Sequence, residues 1–282
     1  MTMSTDTPRV VLVTGCSTGI GRALAAELHT QGHRVFATAR QRASLAELAS
    51  AGIATLSLDV NDSLSIKAAV EQVITSAGRI DVLINNAGVN TFGPLMELPI
   101  DALRTMMETN VVGLAAVTQG VFPHMADRRR GLVVNIGSVV GLLATPFAAS
   151  YCASKSAVHM LSEVMRMELA PFGIDVVVVQ PGGVKSSIAV NGTRDLERYD
   201  QPSSRYRKAY QGIVKRANAS QDEPMLAEDF ARELIRQAFV AQPPRLIRLG
   251  TGADVLPKLA ELPGDERDKL MHVLYELDKL QH

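Results

Sequence analysis

With 282 residues, 46% of them hydrophobic and 21% charged, the chain has an ordinary globular composition, which excludes a disordered, collagen-like or disulfide-stapled protein. Lysine plus arginine equals aspartate plus glutamate at 29 each, so no global positive field exists to hold a phosphate backbone, and nucleic acid is not an expected partner. MTMSTDTPRV lacks a signal-peptide layout, no apolar run reaches the about 18 residues of a membrane span, and Cys16 and Cys152 are too few for a zinc set or a disulfide framework, so the chain reads as cytoplasmic, with reduced thiols and no metal.

Apolar, β-branched runs of strand length recur at Val10–Thr14, Val35–Thr38, Ala54–Leu58, Val82–Asn85, Leu132–Ile136, Val176–Val179 and Leu246–Leu249. Between them lie segments of helical spacing: Ile20–Gln31, Ser44–Ala49, Ser63–Ser76, Ile100–Met125, Ser150–Ala170 and Ala227–Ala241. Strand then helix, repeated, predicts a parallel sheet, and uniformly apolar strands such as VVLVT fit burial on both faces. The expected fold class is therefore α/β, a doubly wound, Rossmann-like sheet of seven parallel strands in one domain over residues 8–252. A charged insertion at about 183–223 follows a strand's carboxyl end and reads as a substrate lid. Residues 253–282 read as a helical extension with Leu270, Val273, Leu274, Leu277 and Leu280 on one stripe, packed on the body or on a sister subunit.

The first strand runs into Thr14-Gly15-Cys16-Ser17-Thr18-Gly19-Ile20-Gly21. Glycines at 15, 19 and 21 allow a tight turn, close approach of a pyrophosphate, and close packing of helix on strand, while the helix start aims N–H groups at an anion. The same letters match GxSxG, the nucleophile elbow of α/β-hydrolases, with Ser17 as nucleophile. Only a nine-residue stub precedes the strand's core, which leaves no earlier strand for an oxyanion loop, so Ser17 reads better as a hydroxyl donor to phosphate. At the end of the second strand, where a dinucleotide fold for NAD would place a carboxylate, stands Arg40, whose guanidinium can pair with a 2′-phosphate and favours NADP(H); an Arg simply facing water is the plain alternative. Asp59, followed by Val60, could accept from the adenine amino group, while Asp62 and Ser63 are better placed to cap the next helix. Asn85-Asn86-Ala87-Gly88 ends the fourth strand, and its short polar side chains and permissive glycine suit close approach to a cofactor. Asn110, a poor helix former inside a long helix, is placed to break the ladder and hold water or Lys155.

Tyr151 and Lys155 stand at i and i+4 early in a helix and so share a face. An ammonium within a few Å would favour the phenolate and make Tyr151 a usable acid or base. Ser138 follows the fifth strand at the same sheet edge and can donate to an oxygen that gains charge as hydride arrives, while Tyr151 supplies the proton. Leu142, Leu143, Pro146, Phe147 and Ala148 between them would form an apolar wall for the substrate.

TGCSTGIG, NNAG, Asn110, Ser138, YCASK and Pro181-Gly182-Gly183 together stand in the order and spacing of the short-chain dehydrogenase/reductase family, and the resemblance covers about residues 8 to 250. It implies a tetrad of Asn110, Ser138, Tyr151 and Lys155, with Lys155 on the nicotinamide ribose and Asn110 supporting a proton relay through water. It also implies hydride transfer between the nicotinamide and a carbonyl or alcohol carbon, with Pro181, Gly182 and Val184 flanking the nicotinamide and Asn86, Ala87 and Gly88 the adenosine side. The wording is most similar to the NADP-preferring branch that includes 17β-hydroxysteroid and retinol dehydrogenase-like members. The expected activity is an NADP(H)-dependent oxidoreductase acting on a small-molecule substrate, a hydrophobic, steroid-, retinoid- or lipid-like ketone, aldehyde or alcohol, in a homodimer or homotetramer, although the extra helix from about Gly264 departs from many relatives. A 3-oxoacyl-thioester reductase and a noncatalytic NADPH-binding sensor are the alternatives.

Overall fold

The strand β1 (Val10–Val13) is buried along its whole length because it lies in the interior of a parallel sheet, and a computed structural model describes that sheet within residues 7–186, 193 and 195–281. The other strands are β2 (Arg34–Ala39), β3 (Ala54–Ser57), β4 (Val82–Asn85), β5 (Gly131–Ile136), β6 (Ile174–Pro181) and β7 (Leu246–Leu249). They line up as β3-β2-β1-β4-β5-β6-β7, with β1 paired in parallel to both β2 and β4. The order reverses between β1 and β4, and a crevice opens there above the carboxyl ends of the strands.

Alternate residues of β1 feed the two faces, as a strand's period of two requires. Val11 and Val13 join Leu24, Leu28, Phe230 and Leu234, which belong to α1 (Gly19–Thr30) and to α8 (Ala227–Ala238). Val10 and Leu12 join Val70, Val73, Val117 and Val121 on the other face, supplied by α3 (Ser63–Ala77) and α5 (Gly113–Ala126). Helix α3 starts where capping chemistry places it: the Asp62 carboxylate accepts from the Leu64 N–H at 2.9 Å. This is a Rossmann-like, doubly wound single domain.

The helix expected over Ile100–Met125 is not continuous. It is α4 (Ile100–Met107), a π turn over Glu108–Val112, and α5. The break falls on Asn110, whose side chain clamps the neighbouring backbone: Oδ1 accepts from the Val89 N–H at 2.8 Å and Nδ2 donates to the Val89 carbonyl at 3.0 Å. Such a turn at a polar residue trades helical regularity for an outside partner.

The remaining elements are the short α2 (Ala46–Ser50), the long α6 (Ala149–Leu169), α7 (Tyr210–Asn218), α9 (Leu256–Ala260) and α10 (Gly264–Leu274). The insertion contributes α7 and short helical turns at Leu196–Asp200 and Arg207–Ala209; its residues 187–192 and 194 lie outside the described residues. A third cluster joins Leu196, Tyr199 and Ile213 of the insertion to Leu143, Phe147, Met271 and Tyr275, so the insertion and the tail pack on each other over one sheet edge. The tail's stripe is rotated from its expected position. Leu270 and Val273 are exposed, whereas Met271 and Tyr275 are buried and Leu274, Leu277 and Leu280 pack against them. No helix among the described residues is long and apolar enough to cross a membrane.

Candidate active site

The turn after β1 is built for close contact. Gly15 and Gly19 adopt φ of 72° and 58°, which residues with a Cβ rarely adopt, and a Cβ on Gly15 would stand 2.7 Å from the Ala87 Cα. Thr18 precedes α1 in extended conformation without a side-chain cap, so the first N–H groups of that helix lack a side-chain acceptor. These groups suit an anion such as a dinucleotide pyrophosphate.

NNAG acts mainly as a stitch beneath this turn. Thr14 Oγ1 accepts from the N–H groups of Asn86 and Ala87, both at 3.0 Å, while Asn86 Nδ2 donates to the carbonyls of Thr14 and Gly15 at 2.9 and 3.0 Å. Asn85 faces inward instead, donating to Thr118 Oγ1 and Asn135 Oδ1, each at 2.9 Å. Its side chain belongs to a buried network that ties β4, β5 and α5, and it does not line the crevice.

One cavity of about 720 Å³ runs along the carboxyl edge of the sheet. Every residue of the expected site lines it except Gly21 and Asn110. Gly21 serves by lacking a Cβ, since one there would meet the Asn86 side chain and the Gly15 carbonyl. Arg40 is exposed at the end of β2 and forms no ion pair among the described residues, while the nearby Arg42 donates to Thr55 Oγ1 at 3.3 Å. Asp59 Oδ1 accepts from the Asn61 N–H at 3.0 Å. No histidine lines the cavity among the described residues, so Ser17 lacks the base that a hydrolase elbow requires.

At the other end Ser138, Tyr151 and Lys155 come together. Ser138 Oγ accepts from the Val140 N–H at 3.3 Å, and the Ser138 hydroxyl exerts a lowering influence on the Tyr151 phenol. Lys155 Nζ donates to the Ile136 carbonyl at 2.8 Å and lies 5.7 Å from the centre of the Tyr151 ring. Asn110 does not touch Lys155. Its Nδ2 donates to Ser154 Oγ at 3.0 Å, and that hydroxyl donates to the Tyr151 carbonyl at 2.9 Å, so Asn110 ties α6 to the loop carrying Val89.

The expected lowering of Tyr151 by Lys155 is corrected here. Burial pushes the phenol up to about 12, against smaller lowering contributions from the Ser138 hydrogen bond and the Arg216 charge, so at neutral pH Tyr151 holds its proton. Burial brings the Lys155 ammonium down to about 8. Desolvation outweighs mutual attraction because the ammonium sits against a carbonyl and not against the phenol oxygen.

Several residues at the site were not anticipated. His159, one turn beyond Lys155, accepts from the Ser138 N–H through Nε2 at 3.4 Å and is held down to about 4 by burial and by the Lys155 and Arg248 charges, so it is a neutral strut for the Ser138 loop. The apolar wall is also different. Of the five residues expected, only Leu143 lines the cavity, joined by Phe92, Leu256, Leu259, Met271 and Leu274; Leu142 is 41% exposed, and Phe147 and Ala148 are buried in the third cluster. Arg216, from the insertion, enters the same cavity. Only the apolar character of the tail hinted at this, and nothing in the sequence marked Arg216 among the insertion's many charges.

Comparisons with known proteins agree with this architecture. A family model described as short chain dehydrogenase matches residues 9–197. An NADPH-dependent 1-acyldihydroxyacetone phosphate reductase of Schizosaccharomyces pombe is 34% identical over 228 residues, 80% of this chain and 77% of that protein. The 17-beta-hydroxysteroid dehydrogenase type 1 of Homo sapiens is 41% identical over 190 residues, 63% of this chain and 57% of that enzyme. A crystal structure of a short-chain dehydrogenase from Streptomyces avermitilis superposes with a TM-score of 0.77 at 29% identity, covering 98% of each chain. Because that family model spans the glycine turn, the β4 stitch and the Tyr151 helix without a break, the chain belongs to the short-chain dehydrogenase family and is an oxidoreductase.

Proposed function

We propose that the protein is an NADP(H)-dependent reductase or dehydrogenase of hydrophobic, lipid-like ketones, aldehydes or alcohols. The observation that carries this reading is the single cavity with the glycine turn and Arg40 at one end and Ser138, Tyr151 and Lys155 at the other, walled by the apolar side chains of Phe92, Leu143 and the tail. A dinucleotide fits the first end: the turn is closed to any Cβ, and the start of α1 offers N–H donors. Gly15, Ser17, Thr18, Gly19 and Ile20 would cradle its phosphates and Arg40 a 2′-phosphate. Asp59, Val60, Asn86, Ala87 and Gly88 would flank the adenosine, and Pro181, Gly182 and Val184 the nicotinamide. The bound cofactor would supply or take up the hydride.

The protein's own contribution is to place and protonate the substrate oxygen. Tyr151, neutral at physiological pH, donates its proton to that oxygen, and Ser138 hydrogen-bonds it as charge grows. Lys155, held against the Ile136 carbonyl beside Tyr151, would supply a positive charge and a donor to the nicotinamide ribose. Asn110 fixes α6 against the loop at Val89, and so acts through Ser154 on the position of Tyr151. The acyl compound and NADPH in the name of the fission-yeast relative support a lipid-like substrate and this cofactor. Exposed apolar side chains at Val112, Met160 and Met167 support self-association through the surface of α5 and α6, which sedimentation would measure. The test is to follow the nicotinamide absorbance with NADPH or NADH and a panel of medium-chain ketones, aldehydes and alcohols. Turnover is expected with NADPH and lost in Tyr151→Phe; unchanged turnover in that variant would overturn the proton-donor role.

A further inference from the structure

Arg216 is a guanidinium on the substrate side of the cavity that forms no ion pair among the described residues. It stands on α7, is only 5% exposed, and lines the same cavity as Tyr151. Its Nε donates to Thr145 Oγ1 at 2.8 Å, and the guanidinium carbon lies 5.2 Å from the centre of the Phe92 ring. Both contacts orient the group, and neither neutralises it. No carboxylate lies within ion-pair distance among the described residues. The acids of the surrounding elements are otherwise engaged: Glu97 accepts from Ser204 and Arg205, Asp200 faces Arg207, and Glu276 faces Lys279. The segment 187–194 contains no Asp or Glu that could supply the missing charge.

A guanidinium removed from water without a counter-charge is costly, and ordinary folds pair it or expose it. Here the terminal nitrogens form no hydrogen bond among the described residues and are not among the sealed, partnerless polar atoms, and the residue lines the cavity, so the fork is placed to meet a ligand there. Thr145 and Phe92 hold the planar fork in place, the preorganisation that two-pronged recognition of a carboxylate or phosphate needs. Tyr151 of the reacting end and Tyr275 of the tail line the same cavity as Arg216, and its positive charge favours the ionised form of both phenols.

We propose that Arg216 is the substrate's anion receptor: the natural carbonyl or alcohol compound carries a carboxylate or phosphate close to its reacting carbon and lays its apolar chain against Leu143, Leu256, Leu259 and Met271. This rests on the reading of the cavity as a hydride-transfer site. It narrows the substrate from any hydrophobic carbonyl to an anionic amphiphile.

The test uses the full chain loaded with NADP⁺ and measures binding of dodecanoate, dodecyl phosphate and dodecanol by calorimetry. At least one anion is expected to bind about 30-fold more tightly than the alcohol, the scale of charge-assisted hydrogen bonds, and the tighter of the two identifies the headgroup. Arg216→Met should erase that difference and Arg216→Lys should keep part of it. In turnover with NADPH, the ratio of kcat/KM for 4-oxododecanoate to that for 2-dodecanone should fall toward one in Arg216→Met. Equal binding of alcohol and anions by the unaltered protein, or an Arg216→Met variant that weakens both ketones in proportion, would overturn the proposal and leave Arg216 a latch for α7. Anion binding that depends on Arg216, in a protein that fails to oxidise NADPH in the presence of any of the carbonyl compounds, would sink the hydride-transfer reading instead.

Discussion

Removing the Arg40 guanidinium should change which nicotinamide dinucleotide the protein holds without changing the fold. Arg40 is exposed at the end of β2, it lines the cavity, and its side chain forms no ion pair among the described residues. Its basic neighbours are committed: Arg22 to Glu47 at 2.7 Å and Arg42 to Thr55 at 3.3 Å. A hydrogen bond to a charged group contributes about 1.5–3 kcal/mol. Two unit charges 4 Å apart attract by about 1 kcal/mol in water and about 4 kcal/mol at an effective dielectric constant of 20. Because Arg40 faces solvent, the lower end applies, about 1.5–2 kcal/mol, or roughly 10- to 30-fold in affinity. Arg40→Ala should therefore weaken NADP⁺ binding by about that factor while leaving NAD⁺ nearly unaffected, as read by calorimetry. Raising the salt from 0.1 M to 1 M shortens the screening length from about 10 Å to about 3 Å, and the unaltered protein's preference should shrink in parallel. An NADP⁺ to NAD⁺ affinity ratio that is the same in Arg40→Ala and in the unaltered protein would refute the reasoning.

Three further outcomes are expected. Lys155→Ala should lower kcat/KM at least 100-fold, and because the Lys155 ammonium is brought down to about 8, reduction by the unaltered protein should decline as pH rises through about 8; Lys155→Arg, which stays charged, should move that limb upward, and a flat profile in a pH series to 9.5 would contradict the assignment. Gly15→Val should abolish dinucleotide binding in an equilibrium titration and lower the melting temperature, because Gly15 has φ of 72° and a Cβ would stand 2.7 Å from the Ala87 backbone. Asp81 accepts from the Val10 N–H at 2.8 Å, Arg79 at 2.9 Å and Arg128 at 2.7 Å, and these bonds hold its carboxyl below the usual range against the opposing effect of burial. The stability it adds is thus full above the unfolded pKa of about 3.9 and lost as pH falls through the lower folded value, so Asp81→Asn should cost about 1–3 kcal/mol at pH 7 by urea unfolding, discounted for partly exposed partners, and much less at pH 3.

The sheet was legible because parallel strands buried on both faces leave a strong local mark: VVLV and VVVV are apolar at every position, and strand alternates with helix along most of the chain. The shape of the glycine turn was legible for a similar reason. A glycine needed for a positive φ or for lack of a Cβ acts within its own turn, so Gly15, Gly19 and Gly21 announce themselves by spacing. The features hidden from the sequence are those that depend on two distant segments meeting. The π turn at Asn110 exists because Val89 is there to be clamped. The Tyr151 phenol rises because of how much protein surrounds it, which the Tyr151 to Lys155 spacing says nothing about. His159 looks like any helical histidine until Gly137 and Gly141, which leave room for its ring, bring the Ser138 loop against it.

The two ends of the cavity differ in how they are built, and that difference locates where specificity resides. The glycine-turn end, where a dinucleotide is proposed to sit, is shaped by backbone at the carboxyl edge of β1, β2 and β4, supported by the sheet's two main cores. A change there disturbs elements with many neighbours. The substrate end is enclosed by side chains of α7, α9 and α10 that belong to the separate third cluster. Gly212 of α7 is packed so closely on the tail that a Cβ would meet the Tyr275 carbonyl, so the helix that carries Arg216 and the helix that carries Met271 and Leu274 are set by one contact. The wall and the charge are therefore adjusted together, without disturbing the hydrogen bonds that hold Ser138, Tyr151 and Lys155. A chain that keeps residues 8 to 186 and exchanges its α7 and tail helices can keep its reaction and change its substrate, because the atoms that move the proton and the atoms that recognise the molecule rest on different cores.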